Sequence, residues 1–213
     1  MNKKKFLEIV MPYTMTGEER IKALFDSLEH IRLNNIEGDL VECGVWKGGN
    51  ILGMMEYLHF YKILDRNIWL YDTFDGMTDP QNIDIDYKNV KASDQNITCY
   101  CPLSDVKKIL EKSKYSKDKL RYIIGDVNHT LNFKENLPTK ISLLRLDTDW
   151  YKSTKKELDV LYDLLVENGI LIIDDYGHWM GSKKASDEFF NDRNLNPKIN
   201  KIDYTGIKII KGE

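Results

Sequence analysis

Carboxylates recur in this sequence wherever a short apolar run stops. Asp72 closes Ile68 to Tyr71, Asp126 follows Leu120 to Ile124, Asp147 closes Ile141 to Leu146, and Asp174-Asp175 closes Ile170 to Ile173. Glu42 lies near the end of the run Asp39 to Val45. If these runs are parallel strands, the acids meet on the rim where open α/β sheets bind ligands. A lone strand-end aspartate serves equally well as the N-cap of the next helix. Capping does not require the double acid Asp174-Asp175, nor the further acid in Asp147-Thr148-Asp149. Several carboxylates on one rim repel each other unless a cation sits among them. Hard oxygens with no His or Cys beside them suit Mg²⁺, Mn²⁺ or Ca²⁺. A metal can take a bound water's pKa from 15.7 to about 7, an alcohol should be activated in the same sense, and a nearby free carboxylate can accept its proton.

The second chemical signal is the loop Glu42-Cys43-Gly44-Val45-Trp46-Lys47-Gly48-Gly49, which ends one apolar run and opens a helix. It resembles a nucleotide-binding turn, but Trp46 stands where the dinucleotide pattern has its second glycine, the one that admits a pyrophosphate. An acid two residues before the first glycine suits a ligand with an ammonium group and no phosphate, as in S-adenosylmethionine. Asp72 then falls near the position of a ribose-binding acid, and Asp126 is placed to meet an adenine amino group.

The elements that must position these residues alternate. The spacing predicts a helix over 17–35 with Thr16 and Glu19 as a capping box, a strand over 39–45, and a helix from Asn50 to about Leu64. Strands follow at 68–71, 120–124, 141–146 and 170–173, with helices at 104–114, 153–166 and 182–190, the 153–166 helix stopping at Asn168-Gly169. Residues 75–102 have no clean period and read as a loop with short helical pieces. Lys201 to Thr205 and Ile207 to Lys211 flank Gly206 as a terminal hairpin. The expected architecture is one doubly wound, Rossmann-like α/β domain over 1–213, a mostly parallel sheet with an antiparallel C-terminal hairpin edge. Arg145, inside a strand, requires an acid partner.

Composition narrows the function classes. The 213 residues carry a net charge of -3, so no basic excess advertises nucleic acid. No apolar run approaches the ~20 residues needed to span a bilayer. The run from Phe6 to Met11 behind the basic start is too short for a signal sequence and holds Glu8, so a cytoplasmic protein is expected. Three cysteines cannot all pair, and all three read as reduced thiols. Lys112 to Lys119 reads as a solvated helix end.

At these motifs the chain resembles the macrocin O-methyltransferase (TylF-type) family of class I methyltransferases. The matching stretches are Gly38 to Gly49, Tyr71-Asp72-Thr73-Phe74-Asp75-Gly76-Met77, Leu144 to Thr154, Ile172 to Trp179, and Ile202 to Gly206. The resemblance implies transfer of a methyl group from S-adenosylmethionine to a sugar hydroxyl, usually with Mg²⁺ (or Mn²⁺). It implies Asp147, Asp174 and Asp175 as metal ligands and Asp149 as general base. The cofactor would lie against Glu42, Gly44, Val45, Gly48, Gly49, Asn50, Asp72, Thr73, Asp126 and Val127. Tyr13, Thr14 and Met15 in the N-terminal 1–37 segment would cover the site. Trp150 and Tyr151 directly follow the acid motif and either wall the site of the acceptor, a small-molecule sugar or glycoside, or pack in the core, and His178 is a substrate contact, an alternative base or a structural residue. A homodimer or higher homo-oligomer is also implied. Asn50 stands where the family commonly has a small hydroxyl residue, and 78–102 matches no substrate region of the family. Two other readings share the sheet. A nicotinamide-dependent oxidoreductase needs a glycine at Trp46 and a proton relay that the sequence does not display. A non-catalytic cofactor-binding protein has no use for carboxylates that repel each other.

Overall fold

Adjacent strand residues enter different cores because successive side chains point to opposite faces of a sheet. Leu143 and Leu144 are both fully buried, the first among Leu40, Ile51 and Met54, the second among Val41, Leu158 and Phe189. Both faces are covered, which is why the strands read as unbroken apolar runs. The computed structural model describes residues 1–213. Its strands are β1 (Asp39–Cys43), β2 (Ile68–Asp72), β3 (Leu120–Ile124), β4 (Ile141–Leu146), β5 (Leu165–Ile173), β6 (Asn200–Lys201) and β7 (Ile207–Ile210). They form one sheet in the order β3-β2-β1-β4-β5-β7-β6. β1 to β5 are parallel, and β7 runs antiparallel to both β5 and β6. The helices are α1 (Lys3–Val10), α2 (Glu18–Leu33), α3 (Gly49–Phe60), α4 (Leu103–Leu110), α5 (Val127–Thr130), α6 (Tyr151–Leu161) and α7 (Met180–Asp192). The α/β class, the parallel sheet and the antiparallel C-terminal edge agree with the sequence reading. No helix is long and apolar enough to cross a membrane, and all three cysteines are free.

Two local expectations fail for identifiable reasons, and one helix was not expected at all. Asn168-Gly169 does not stop a helix. α6 ends at Leu161, and Asn168 sits inside β5 in a left-handed conformation (φ 62°). The partner strand shifts register there, between the Ile141–Leu165 and Leu143–Ile170 pairs, and the Asn168 amide donates to the Lys211 carbonyl at 2.9 Å. Pairing on both sides overrides the local stop. The capping box at Thr16 does not form either. Gly17 takes the N-cap of α2 with no side-chain bond, because the Thr16 hydroxyl accepts from Arg145 Nη2 at 3.0 Å. The unexpected helix is α1, whose lysines hide a two-residue stripe. Asn2 caps it by accepting from the Lys5 amide at 2.9 Å, and Phe6 and Val10 are fully buried. Those two side chains rest on α3 where Gly53 leaves room, since a Cβ there would lie 2.5 Å from Val10.

Candidate active site

The strand-end acids do converge on one rim, but they divide into distinct tasks. Asp72 holds the glycine loop. Its Oδ2 accepts from the Val45 and Trp46 amides at 2.6 and 3.1 Å, and its Oδ1 from Phe74 at 2.7 Å. Gly44 is left-handed (φ 83°), and a Cβ on it would lie 2.0 Å from the Asp147 carbonyl. Gly48, also left-handed, caps α3, and Gly49 packs against the Tyr13 carbonyl. Trp46 occupies the missing glycine's place with a glycine-like φ of 46°. Asp126 takes the capping role that strand-end aspartates share, accepting from the Asn128 amide at 2.8 Å.

Behind the loop lies a buried charge network. Arg145 Nη1 donates to Glu42 Oε1 at 2.6 Å and Asp147 Oδ2 at 2.7 Å, and Nη2 donates to Asp174 Oδ1 at 2.5 Å. The partner required for Arg145 is therefore three acids. The other oxygen of Asp174 accepts from Arg20 of α2, which also pairs with Asp203 at 3.0 Å. Asn50 Nδ2 donates to Glu42 Oε1 at 2.8 Å. Glu42 Oε2 and Asn50 Oδ1 are buried without a partner, side by side with the glycine loop. Burial pushes the Glu42 carboxyl up to about 7 despite Arg145.

The remaining acids gather in front. One oxygen each from Asp147, Asp149 and Asp175 lie within 4.8 Å of one another. Asp175 Oδ2 is buried and unpartnered. Burial first, and the neighbouring carboxylates next, raise Asp175 well above the usual carboxylate range. Burial lifts Asp149 to about 7, although its contact with Asp175 pulls the other way. Asp149 is also left-handed at φ 67°, one of four such non-glycine residues lining or flanking the site with Trp46, Phe74 and Cys99. Such strain persists where surrounding structure over-determines it, commonly at functional sites. Asp174 differs from the ligand role expected for it: both its oxygens are held by arginines, and Asp149 is the third converging carboxylate in its stead.

These residues line a cavity of about 430 Å³, within the ~300–1,000 Å³ of small-molecule sites. Thr14, Met15, Arg20, His178 and Tyr204 complete its wall. A smaller cavity of about 60 Å³ adjoins it at Asp72, Thr73, Gly125, Asp126 and Val127. Trp150 and Tyr151 are not in the main wall. Trp150 is buried against Trp179 and donates to the Thr78 carbonyl at 2.8 Å, and the Tyr151 hydroxyl donates to Glu188 at 2.7 Å. Trp179 takes the aromatic place in the wall. Tyr13 likewise turns to Lys112, whose ammonium lies over its ring. Burial lowers the His178 pKa below the usual imidazole value.

Sequence reasoning missed Arg20 and Glu157. Arg20 sits on an amphipathic helix, where an arginine reads as solvated. Glu157 of α6 is fully buried beneath the acid loop, and the Thr148 hydroxyl donates to it at 2.9 Å. Its signal was faint: a charge one residue before Leu158 on the inward face. Burial pushes Glu157 up to about 8. Between about pH 4.3 and 8 the unfolded chain ionises this group while the fold keeps it protonated, so stability falls as pH rises through that window. The Glu157 part of that slope approaches ~1.4 kcal/mol per pH unit. Glu157→Gln should remove it: urea midpoints of variant and wild type should converge near pH 4.3, and the variant should be the more stable at pH 8. Parallel curves would sink this account.

The model of the Macrocin-O-methyltransferase (TylF) family matches residues 9–211. The 8-demethyl-8-(2,3-dimethoxy-alpha-L-rhamnosyl)-tetracenomycin-C 4'-O-methyltransferase of Streptomyces olivaceus is 30% identical over 200 residues, 92% of this chain and 74% of that protein. The mycinamicin III 3''-O-methyltransferase of Micromonospora griseorubida is 28% identical over 204 residues, 92% of this chain and 77% of the relative. The solved structure of the O-methyltransferase NovP superposes with a TM-score of 0.83 at 27% identity, covering 94% of this chain and 83% of its own.

Proposed function

Because the chain belongs to the macrocin O-methyltransferase family of sugar-modifying O-methyltransferases, we propose that it methylates a sugar hydroxyl with S-adenosylmethionine and a divalent cation, Mg²⁺ or Mn²⁺. One observation carries the reading: buried carboxylate oxygens lack partners at Glu42, where the glycine loop begins, and at Asp175 in the front cluster. Unpaired buried charge is costly; Arg145 and Arg20 pair with Glu42, Asp147 and Asp174, while Asp149 and Asp175 on the same cavity wall form no ion pair. The donor set fits two cations, an ammonium at Glu42 and Asn50 and a hard metal ion at the front cluster.

When bound, S-adenosylmethionine supplies an electrophilic methyl group and the divalent cation a Lewis acid that lowers the acceptor's pKa. The chain's own residues do the rest. Glu42 Oε2 and Asn50 Oδ1 would accept from the amino group of the methionine moiety. Asp72 fixes the loop backbone, while Thr73, Asp126 and Val127 border the small cavity beside it, which would take one edge of the nucleoside. Asp147 and Asp175 would hold the metal, and Asp174 would join them only if Arg20 gave up its Oδ2. Asp149, with a carboxyl near pKa 7, takes the hydroxyl proton. Holding the acceptor between Asp149 and the glycine loop supplies proximity.

The test is a calorimetric titration of S-adenosylhomocysteine with Mg²⁺ and then with EDTA, followed by turnover of a methyl α-L-rhamnoside read as one added methyl group by mass. Binding in both buffers, with turnover only in Mg²⁺, is the expected result. No binding to folded protein would overturn the cofactor, and full turnover in EDTA would overturn the metal.

A further inference from the structure

Tyr87 takes no part in the chemistry above, yet its ring packs against two residues that line the main cavity. Its segment, 78–102, is anchored by two buried acids. Asp84 accepts from the Gln81 amide at 2.7 Å and from the Tyr151 amide at 2.8 Å, and fits where a Cβ on Gly181 would lie 1.9 Å away. Asp86 accepts from the Lys88 and Val90 amides at 2.8 and 2.9 Å and from Gln95 Nε2 at 3.0 Å, and pairs with Trp179. The turn from Asp86 to Asn89 carries Tyr87 at its tip. There its ring lies 5.3 Å from His178 and 5.9 Å from Tyr204, two of the aromatic residues that line the cavity. Tyr87 and Tyr204 remain 50% and 67% exposed. Three rings from three separate segments thus present aromatic surface, continuous with the cavity, on a loop ordered in advance.

Charge selects the occupant. Asp72, Asp147, Asp149, Asp174 and Asp175 line the cavity, and Arg20 is already engaged by Asp174 and Asp203. Lys88, over the Tyr87 ring, is a single ammonium beside the rim, with no second cation to pair a diphosphate. Aromatic faces edged by hydroxyl and imidazole groups suit a sugar ring, with its C–H face on the rings and its hydroxyls toward their polar edges.

We propose that Tyr87, His178 and Tyr204 form an outer subsite for a second, uncharged sugar ring, so that the acceptor is a glycoside of at least two rings. This rests on the sugar methylation proposed above. The test compares three acceptors at saturating cofactor and Mg²⁺: methyl α-L-rhamnoside, the methyl glycoside of a rhamnose disaccharide, and a nucleoside-diphosphate rhamnose. The disaccharide should have the highest kcat/KM, through a lower KM. Tyr87→Ala should reduce its advantage over the monosaccharide by about threefold to tenfold, the scale of one aromatic contact, and Tyr87→Phe should retain it. A preference for the nucleotide-linked sugar, or a disaccharide advantage unchanged in Tyr87→Ala or lost in Tyr87→Phe, overturns the subsite. Turnover of none of the three, with S-adenosylhomocysteine still bound, overturns the sugar reading beneath it.

Discussion

Arg145→Leu should leave little folded protein. The guanidinium is buried and balances Glu42, Asp147 and Asp174 at 2.5 to 2.7 Å. Leucine fills part of the space but strands those acids. Removing one partner of a buried ion pair costs about 3–5 kcal/mol, against a total stability of ~5–15 kcal/mol for a typical domain, and here Glu42 and Asp147 lose their counter-charge at once while Asp174 keeps only Arg20. Arg145→Lys should fall between, since one ammonium cannot reproduce a fork that also reaches Thr16. Acid should partly rescue the leucine variant, because protonation removes the charges that Arg145 had balanced. Urea unfolding with yield of soluble protein reads both effects. A leucine variant with the wild-type midpoint at pH 7 would mean that the network contributes no net stability.

Asp149→Asn should lower turnover by about 10²–10⁴-fold, the usual contribution of a positioned general base. Asparagine is the informative replacement because it keeps the shape and tolerates the left-handed backbone at φ 67° that alanine would strain. Binding of S-adenosylhomocysteine should not change, since the unpartnered acceptors for its amino group belong to Glu42 and Asn50. Folding should hold or improve, because a buried acid raised to about 7 becomes a neutral amide. Single-turnover rates with calorimetry separate these. Turnover within a few-fold of wild type would remove Asp149 as the base and turn attention to His178 at the cavity mouth.

Much of this molecule was legible before folding. Short apolar runs closed by acid marked the strands, because a sheet covered on both faces needs continuous hydrophobicity while its carboxyl rim faces ligand. The glycine loop and Asp72 were legible for the same reason: Gly44 has no room for a side chain, and backbone amides must find an acceptor. What each acid does was not legible. Asp126 caps a helix, Asp72 ties a loop, Asp174 is held by two arginines, and Asp149 joins the front cluster. Residue type and strand position are alike for these four, so only the partners that arrive from distant segments separate them. Arg20 comes from α2, Thr16 from before it, and Glu157 from the buried side of α6. The segment 78–102 was unreadable for the same physical reason: its order rests on Asp84 and Asp86 meeting amides and a glycine elsewhere in the chain, and such contacts leave no period behind. Sequence alone determined the sheet and the rim where its acids gather; long-range pairing of buried charge decided which carboxylates on that rim are held by arginines and which are not.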